Sequence, residues 1–457
     1  MTRVARGGLW LDAHKERSAG QPVRSASIPE EIVLPLDQHA GAAATPMVAA
    51  GDSLLLGQPV AQPQSDISAW IHSPVSGTVI AVEPRAVAAH AEPVTCVVIR
   101  NDRQDRSHPG NAPLDFASLQ PAALCEHIAR GGIVGLGGAT FPTALKLLQA
   151  GHSAGTHLLL NGAECEPWIS CDDALMRERA GEVILGAQIL RHALGAARCT
   201  IAVEDDVPEA VQALQAAVAG SDIRVAVVPS IYPAGGERQL ILAVFGVEVP
   251  TDGLPSDVGI VCQNVGTAAA VARWLRDGQP LISRIVTVTG SGVREPANLE
   301  VRLGTPIASL VADCGGYVAD PQRLIMGGSM MGTALRSDAL PVVKAMNCVI
   351  VATGDDLSPR SSEMPCIRCG NCSQVCPASL LPQQLHWHAL SDDLPALETL
   401  GLMDCIECGC CDHVCPSQIP LTQRFREAKP RLQARIAARG DAAAARERFE
   451  SREQRLT

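Results

Sequence analysis

Cys366-Ile367-Arg368-Cys369-Gly370-Asn371-Cys372-Ser373-Gln374-Val375-Cys376-Pro377 has the spacing C-x2-C-x2-C-x3-C-P, and residues 405–416 (CIECGCCDHVCP) repeat it thirty-nine positions later. Three thiolates at two-residue gaps wrap one cubane iron–sulfur cluster from a single tight loop. The fourth, on the following turn, reaches across to the other cluster. The spacing therefore predicts two [4Fe–4S] clusters, one on Cys366, Cys369, Cys372 and Cys415, the other on Cys405, Cys408, Cys411 and Cys376. Tetrahedral zinc has no use for the third close cysteine or the Cys-Pro ending, and disulfides need an oxidising compartment. Cys410 breaks no spacing and reads as a spare thiol.

The rest of the composition fits an intracellular redox protein. At 457 residues the chain is long enough for about three domains. A formal net charge of -11 argues against nucleic acid as a partner. No apolar run approaches the ~18 residues of a membrane span. The stretch MTRVARGGLWLDAHKERSAGQ lacks the apolar centre of a signal peptide. Seventeen cysteines without an export signal indicate a reducing interior. The expectation is a soluble cytoplasmic chain that meets a membrane only peripherally or through partners.

Along the chain the patterning implies an α/β multidomain protein. Residues 1–108 read as short strands between Pro and Gly turns. Residues 51–58 (GDSLLLGQ) and 73–79 (SPVSGTV) look like the hairpins of a biotinyl/lipoyl-type barrel-sandwich hybrid. No Lys lies between Gly57 and Pro74, so a swinging-arm carrier is excluded and a docking or structural module remains. Residues 109–280 alternate apolar strands (157–161, 200–204, 224–228, 259–263) with helices (172–193, 208–219, 266–277), as in an α/β sheet. Residues 281–350 read as a β-grasp module, and 358–425 as an α-helical, ferredoxin-like two-cluster domain. The tail, 426–457, is a basic helix; from 421 onward ten Lys/Arg face five Asp/Glu. It is either a solvated helix or a strip for a partner or an anionic membrane.

Residues 131–143 (GGIVGLGGATFPT) form the second signal. Closely spaced glycines let backbone approach a ligand, and the predicted helix over 143–150 (TALKLLQA) favours a phosphate at its N-terminus. Thr140 departs from G-x-G-x-x-G, so the loop by itself reads equally as a structural turn. Three further loops follow predicted strands, where α/β sheets bind ligands. They are Asn161–Pro167 (NGAECEP), Tyr232–Arg238 (YPAGGER) and Gln263–Thr267 (QNVGT). Their Glu and Asn side chains would serve a flavin or a ribose; otherwise Glu164 and Glu166 are ordinary surface carboxylates.

Together GLGGATFPTALKL, NGAECEPWISCDDALM, YPAGGERQL, QNVGT, GGSMMG and the paired cysteine runs resemble the RnfC family of the Rnf ion-translocating electron transport complex, from about residue 28 to the tail. The middle region is more distantly similar to the flavin- and NADH-binding subunit of respiratory complex I. That similarity implies a non-covalent FMN with NADH as substrate. It assigns the glycine loop to Gly135, Gly137, Gly138, Phe141, Pro142 and Thr143, and the carboxylate loop to Asn161, Glu164 and Glu166. Gly235 and Glu237, then Asn264 and Thr267, complete the flavin/NADH set. No catalytic residue is singled out. Thr140 stands for a commoner Gly, Ser329 for the Pro of GGPMMG, and Gly236 for a second carboxylate. The resemblance further implies a translocase: a peripheral subunit on the cytoplasmic face of the bacterial inner membrane. It would work beside other subunits, with ferredoxin or flavodoxin reached through the complex. Rival readings are a soluble flavin/iron–sulfur reductase, such as a cobalamin (corrinoid) reductase, and a relay that has lost its flavin.

Overall fold

The computed structural model describes residues 6–88, 90–151, 155–357 and 362–456. They divide into two compact units, one built from residues 11–357 and the other from residues 6–10 and 362–456.

In the larger unit the centre is a four-stranded parallel sheet of β1 (His157–Gly162), β2 (Arg198–Glu204), β3 (Ile223–Val228) and β4 (Ile260–Asn264), in the order β3-β2-β1-β4. Its strands are near-continuous apolar runs because both faces are covered, as parallel sheets require. Seven helices accompany it: α1 (Pro121–Arg130), α2 (Thr143–Ala150), α3 (Cys171–Glu178), α4 (Ala180–Leu194), α5 (Pro208–Ala217), α6 (Glu237–Phe245) and α7 (Val265–Asp277). The single helix expected over 172–193 is two, broken at Arg179, where the backbone leaves helical geometry (φ -131°, ψ 35°) and the guanidinium turns to Glu300 at 2.6 Å. Helix α7 is buried along almost its whole length, which its small residues (VGTAAAVA) permit. Gly186 of α4 lets the two helices touch, since a Cβ there would lie 1.9 Å from the Ala268 carbonyl.

The barrel proper begins at Glu31, with strands Glu31–Pro35, Gly77–Arg85 and Val94–Asn101 forming most of one sheet and Thr45–Pro46, Pro59–Gln62 and Ile71–His72 the other. The connection at 63–70, where a carrier would present its lysine, is tied down instead. Ser68 bonds His39 at 2.9 Å, and the Ile67 carbonyl accepts from Ala42 N–H at 2.9 Å. Residues before the barrel belong elsewhere: Arg24–Ser25 adds an edge strand beside Ala297–Arg302. That strand and Ser283–Thr289 lie in a six-stranded mixed sheet with Cys348–Ala352, Arg323–Met326 and Thr333–Leu335. Sequence patterning marks only two of these strands, Ser283–Thr289 and Ala297–Arg302; Cys348–Ala352, though buried throughout, lies beyond the motifs read there, and the others are short or half-exposed. Arg302 joins this sheet to the barrel by a two-pronged contact with Asp105, 2.6 Å at each oxygen.

The smaller unit packs helices Pro382–Leu390 and Leu394–Thr399 against α-helix Leu421–Leu456, around Leu385, Leu397, Leu402, Phe425 and Leu432. The basic helix thus starts inside the cluster unit's own core rather than after it. No helix among the described residues is long and apolar enough to cross a membrane.

Gly186→Ala would drive a methyl group into the α7 backbone. An overpacking loss of about 1–3 kcal/mol is expected, read as a lower denaturation midpoint of the larger unit.

Candidate functional site

Strand order β3-β2-β1-β4 reverses direction between β1 and β4, the place where open α/β sheets form a ligand crevice at their carboxyl ends. In register there, Asn161 lies beside Asn264. Each then organises the loop it begins. Asn161 Nδ2 donates to the Gly235 carbonyl (2.8 Å), while its Oδ1 accepts from Ala163 N–H (3.0 Å). Asn264 caps α7, accepting from Gly266 and Thr267 N–H, and donates to Asp172 at 2.6 Å. Thr267 Oγ1 in turn accepts from Leu136 N–H at 2.9 Å, stitching the glycine loop to the same end of the sheet. All four loops singled out from the sequence meet here.

The glycine loop is held from behind by two buried basic side chains. Lys344 Nζ donates to the Gly132 carbonyl (2.7 Å) and to Trp70 O (2.9 Å), and Arg284 donates to Leu136 O (3.2 Å) and to the Lys344 carbonyl. In front, the loop is bare. A Cβ on Gly138 (φ 118°) would meet nothing within 4 Å, and one on Gly135 or Gly137 would have no neighbour nearer than 3.5 Å. These positions keep space that no protein atom fills, a cradle suited to a flat ligand. Phe141 and Thr143 serve the loop's own closure: the Phe141 carbonyl accepts from Gly135 N–H (2.9 Å), and Thr143 N–H donates to Ile133 O (3.1 Å).

The carboxylates have more specific tasks than surface groups. Glu164 accepts from Asp172 N–H (3.0 Å), Asp173 N–H (3.3 Å) and the Cys171 thiol (3.2 Å), so it caps α3 from outside the helix. Burial, with Asp172 alongside, pushes its pKa up to about 8. Glu166 accepts from the N–H groups of Met330 (3.1 Å) and Met331 (2.9 Å), anchoring the GGSMMG turn to the crevice, and burial raises it to about 7. Both side chains stay partly exposed. Glu237, the first residue of α6, pairs with Lys146 of α2 at 2.5 Å. Gly235 N–H donates to Cys165 Sγ at 3.3 Å.

Sequence reasoning missed Lys15, Lys146, Asp172, Arg284 and Lys344. Asp172 stood within a quoted motif. Lys146 likewise lay in the quoted helix after the glycine loop, whereas Lys15, Arg284 and Lys344 come from elements distant in sequence, and no local pattern marks them. Lys15 donates to the Glu164 carbonyl (2.6 Å) and pairs with Glu204 (3.5 Å), while His14 stacks on Trp168 with ring centroids 4.3 Å apart.

In the smaller unit two cavities take up the paired cysteines. One is lined by Cys366, Cys369, Cys372 and Cys415, the other by Cys405, Cys408, Cys411 and Cys376. The left-handed backbone positions also repeat. Arg368 and Glu407 both have φ 58°, Gly370 and Gly409 have 82° and 76°, and Ser379 and Gln418 have 54° and 52°. The two loops are the same structure, each borrowing one cysteine from the other. Four thiols around one cavity, drawn from a tight loop plus one later turn, fit a cubane cluster.

Comparison with known proteins agrees with this construction. Residues 4–104 match the RnfC barrel sandwich hybrid domain and residues 128–273 the Nuo51 FMN-binding domain. Residues 285–334 match the SLBB domain and residues 365–419 the 4Fe-4S dicluster domain. The RnfC-type component of the ion-translocating oxidoreductase complex of Rhodobacter capsulatus is 44% identical over 435 residues, covering 94% of this chain and 83% of that protein. The chain belongs to the RnfC family. Its relative in Pseudomonas aeruginosa is 47% identical over 451 residues, 98% of this chain. The chain spans only 58% of the length of the Pseudomonas aeruginosa and Vibrio cholerae members. An NAD+-reducing [NiFe]-hydrogenase structure aligns over 70% of this chain and 62% of its own, at 18% identity and a TM-score of 0.48. As a member of the RnfC family the chain carries an FMN-binding domain and a dicluster domain for two [4Fe–4S] clusters.

Lys344 gives a pH signature. Burial lowers its pKa from 10.5 to about 7. Between those values the unfolded chain binds more protons than the folded one, so stability rises as pH climbs through the window. Below pH 7 both forms are protonated and the contribution stops changing. Denaturant titrations from pH 7 to 10 should show this slope in the native chain and a smaller one in Lys344→Met.

Proposed function

We propose that this chain is the peripheral subunit of a membrane-bound Rnf-type complex, passing electrons between NADH and two [4Fe–4S] clusters by way of FMN. The complex would couple electron exchange between NADH and ferredoxin to ion translocation, at the cytoplasmic face of the inner membrane. The observation that carries the reading is the presence in one chain of a glycine cradle at the β1/β4 crevice and two four-cysteine cavities. Relatives named as parts of an ion-translocating oxidoreductase complex supply the assembly.

Bound FMN supplies hydride acceptance and one-electron release, and the clusters supply single-electron carriage. This chain's residues bind and orient. Gly135, Gly137 and Gly138 leave room for the flavin, with Phe141 closing their loop. Asn161, Gly235, Asn264 and Thr267 fix the surrounding loops, Glu164 and Glu166 anchor α3 and the GGSMMG turn beside them, and Glu237 pairs with Lys146. The cluster ligands are Cys366, Cys369, Cys372 and Cys415 for one site and Cys405, Cys408, Cys411 and Cys376 for the other. A soluble cobalamin-type reductase would hold the same cofactors, so co-purification with membrane subunits separates the two readings; a partnerless soluble protein would defeat the Rnf assignment.

Gly137→Leu, whose Cβ would make an ordinary contact with Asn264 (3.5 Å) and whose longer side chain would crowd the cradle, is expected to lose FMN affinity at least tenfold in a fluorescence titration of protein with native circular dichroism. Unchanged affinity would remove the cradle from the site. Glu164→Gln should lower NADH-dependent dye reduction while leaving iron unchanged, and an unaltered rate would exclude that carboxylate. Cys369→Ala should reduce iron after anaerobic reconstitution from about eight to about four per chain.

A further inference from the structure

The two cysteine cavities share a backbone but not a lining. A shift of thirty-nine residues superimposes one motif on the other in sequence, and it also pairs the side chains around them. Every wall residue of one cavity therefore has a counterpart to be compared with.

His386 lines the first cavity and Phe425 the equivalent wall of the second. His386 is 3% exposed, and Arg424 stands against it, Nη1 to Nδ1 2.7 Å. Glu363 fixes the same guanidinium at 2.6 Å. The counterpart of Arg424 is Leu385, which lines the second cavity. A cation backing a polar ring in one site thus becomes leucine and phenylalanine in the other. Beside the last close cysteine of each loop, Ser373 in the first corresponds to Asp412 in the second, whose Oδ1 lies 3.7 Å from Cys411 Sγ. Solvent follows the same division: Cys369 is exposed, whereas Cys408 and Cys411 are buried. One pair is nearly neutral in effect, because Glu407, opposite Arg368, is answered by Lys429 (2.8 Å) and Arg426 (2.9 Å).

Nearby positive charge, hydrogen-bond donors and solvent favour the reduced, more negative cluster, while burial among apolar groups and a neighbouring carboxyl oppose it. Solvent access, the polar His386 ring and the Asp412 carboxyl point one way; the Cys410 thiol, which lines the second cavity and hydrogen-bonds Cys408, stands alone against them. We propose that the two sites are an asymmetric pair: the Cys366/Cys369/Cys372/Cys415 site holds the more easily reduced cluster, and His386, backed by Arg424, is the positioning residue that sets it apart. At equilibrium a single electron then rests on the first site, and the second is the low-potential station. This rests on the ligand sets proposed above.

The test is a potentiometric titration of the anaerobically reconstituted full chain, followed by electron paramagnetic resonance, with iron measured on the same sample. The native chain should give two one-electron waves whose reduced-to-oxidised ratios differ at least tenfold at any potential, about 59 mV. His386→Phe, which copies the second site, should move only the upper wave down by at least that factor, and His386→Gln should restore it. Arg424→Leu should act in the same direction, while Phe425→His should raise the lower wave. Coincident waves in the native chain, or a His386→Phe shift confined to the lower wave or shared by both, would overturn the asymmetry. Failure of the ligand sets is distinguishable: Cys369→Ala would then leave both waves and the full iron content in place.

Discussion

Two buried basic side chains reaching main-chain carbonyls hold the crevice in shape. Lys344 and Arg284, both from the segment that follows the parallel sheet, grip the glycine loop at Gly132 and Leu136. A loop with this many glycines loses much backbone freedom on ordering, and these bonds offset that loss. Fastening it through its carbonyls leaves Gly135, Gly137 and Gly138 without side chains in front. The same lysine reaches Trp70 of the barrel. One lysine side chain therefore ties the barrel, the crevice and the mixed sheet into a single construction. The module without a carrier lysine has become a wall.

The sequence announced the parts of this site that depend on local spacing. The cysteine runs, the strand ends at Asn161 and Asn264, and the turn at Gly235 each carry their meaning within a few residues. Residues 266–277 and 143–150 read as helices for the same reason. What stayed hidden depends on tertiary approach. Lys15 meets Glu164 across 149 positions, and Lys344 meets Gly132 across 212. No periodicity connects such residues. The break at Arg179 was invisible because the partner its guanidinium turns to, Glu300, lies 121 positions away. The carboxylates were recognised as important, but their immediate partners are backbone N–H groups of α3 and of the GGSMMG turn.

The two units make opposite use of symmetry. Around the sheet, four unlike loops converge on one crevice and each contributes different chemistry. In the cysteine unit, one loop design is used twice, down to the left-handed residues that aim its thiols. Because the geometry is duplicated, whatever distinguishes the two cavities must come from their walls. Substitutions there, such as Phe425 against His386, alter the environment without disturbing the frame.

Each of those cavities takes its fourth cysteine from the other repeat, so the two loops are linked like clasped hands. Neither half of the repeat contains a complete site, and neither is a unit that could be excised, grafted or assembled alone. Exposed Cys369 belongs to the same interlocked ring as buried Cys408. Oxidative loss of the cluster at the open side therefore unseats Cys415, which the sheltered repeat supplies, and with it the turn that follows Cys411. The clasp carries damage at one site into the loop of the other, while the second set of four cysteines stays complete.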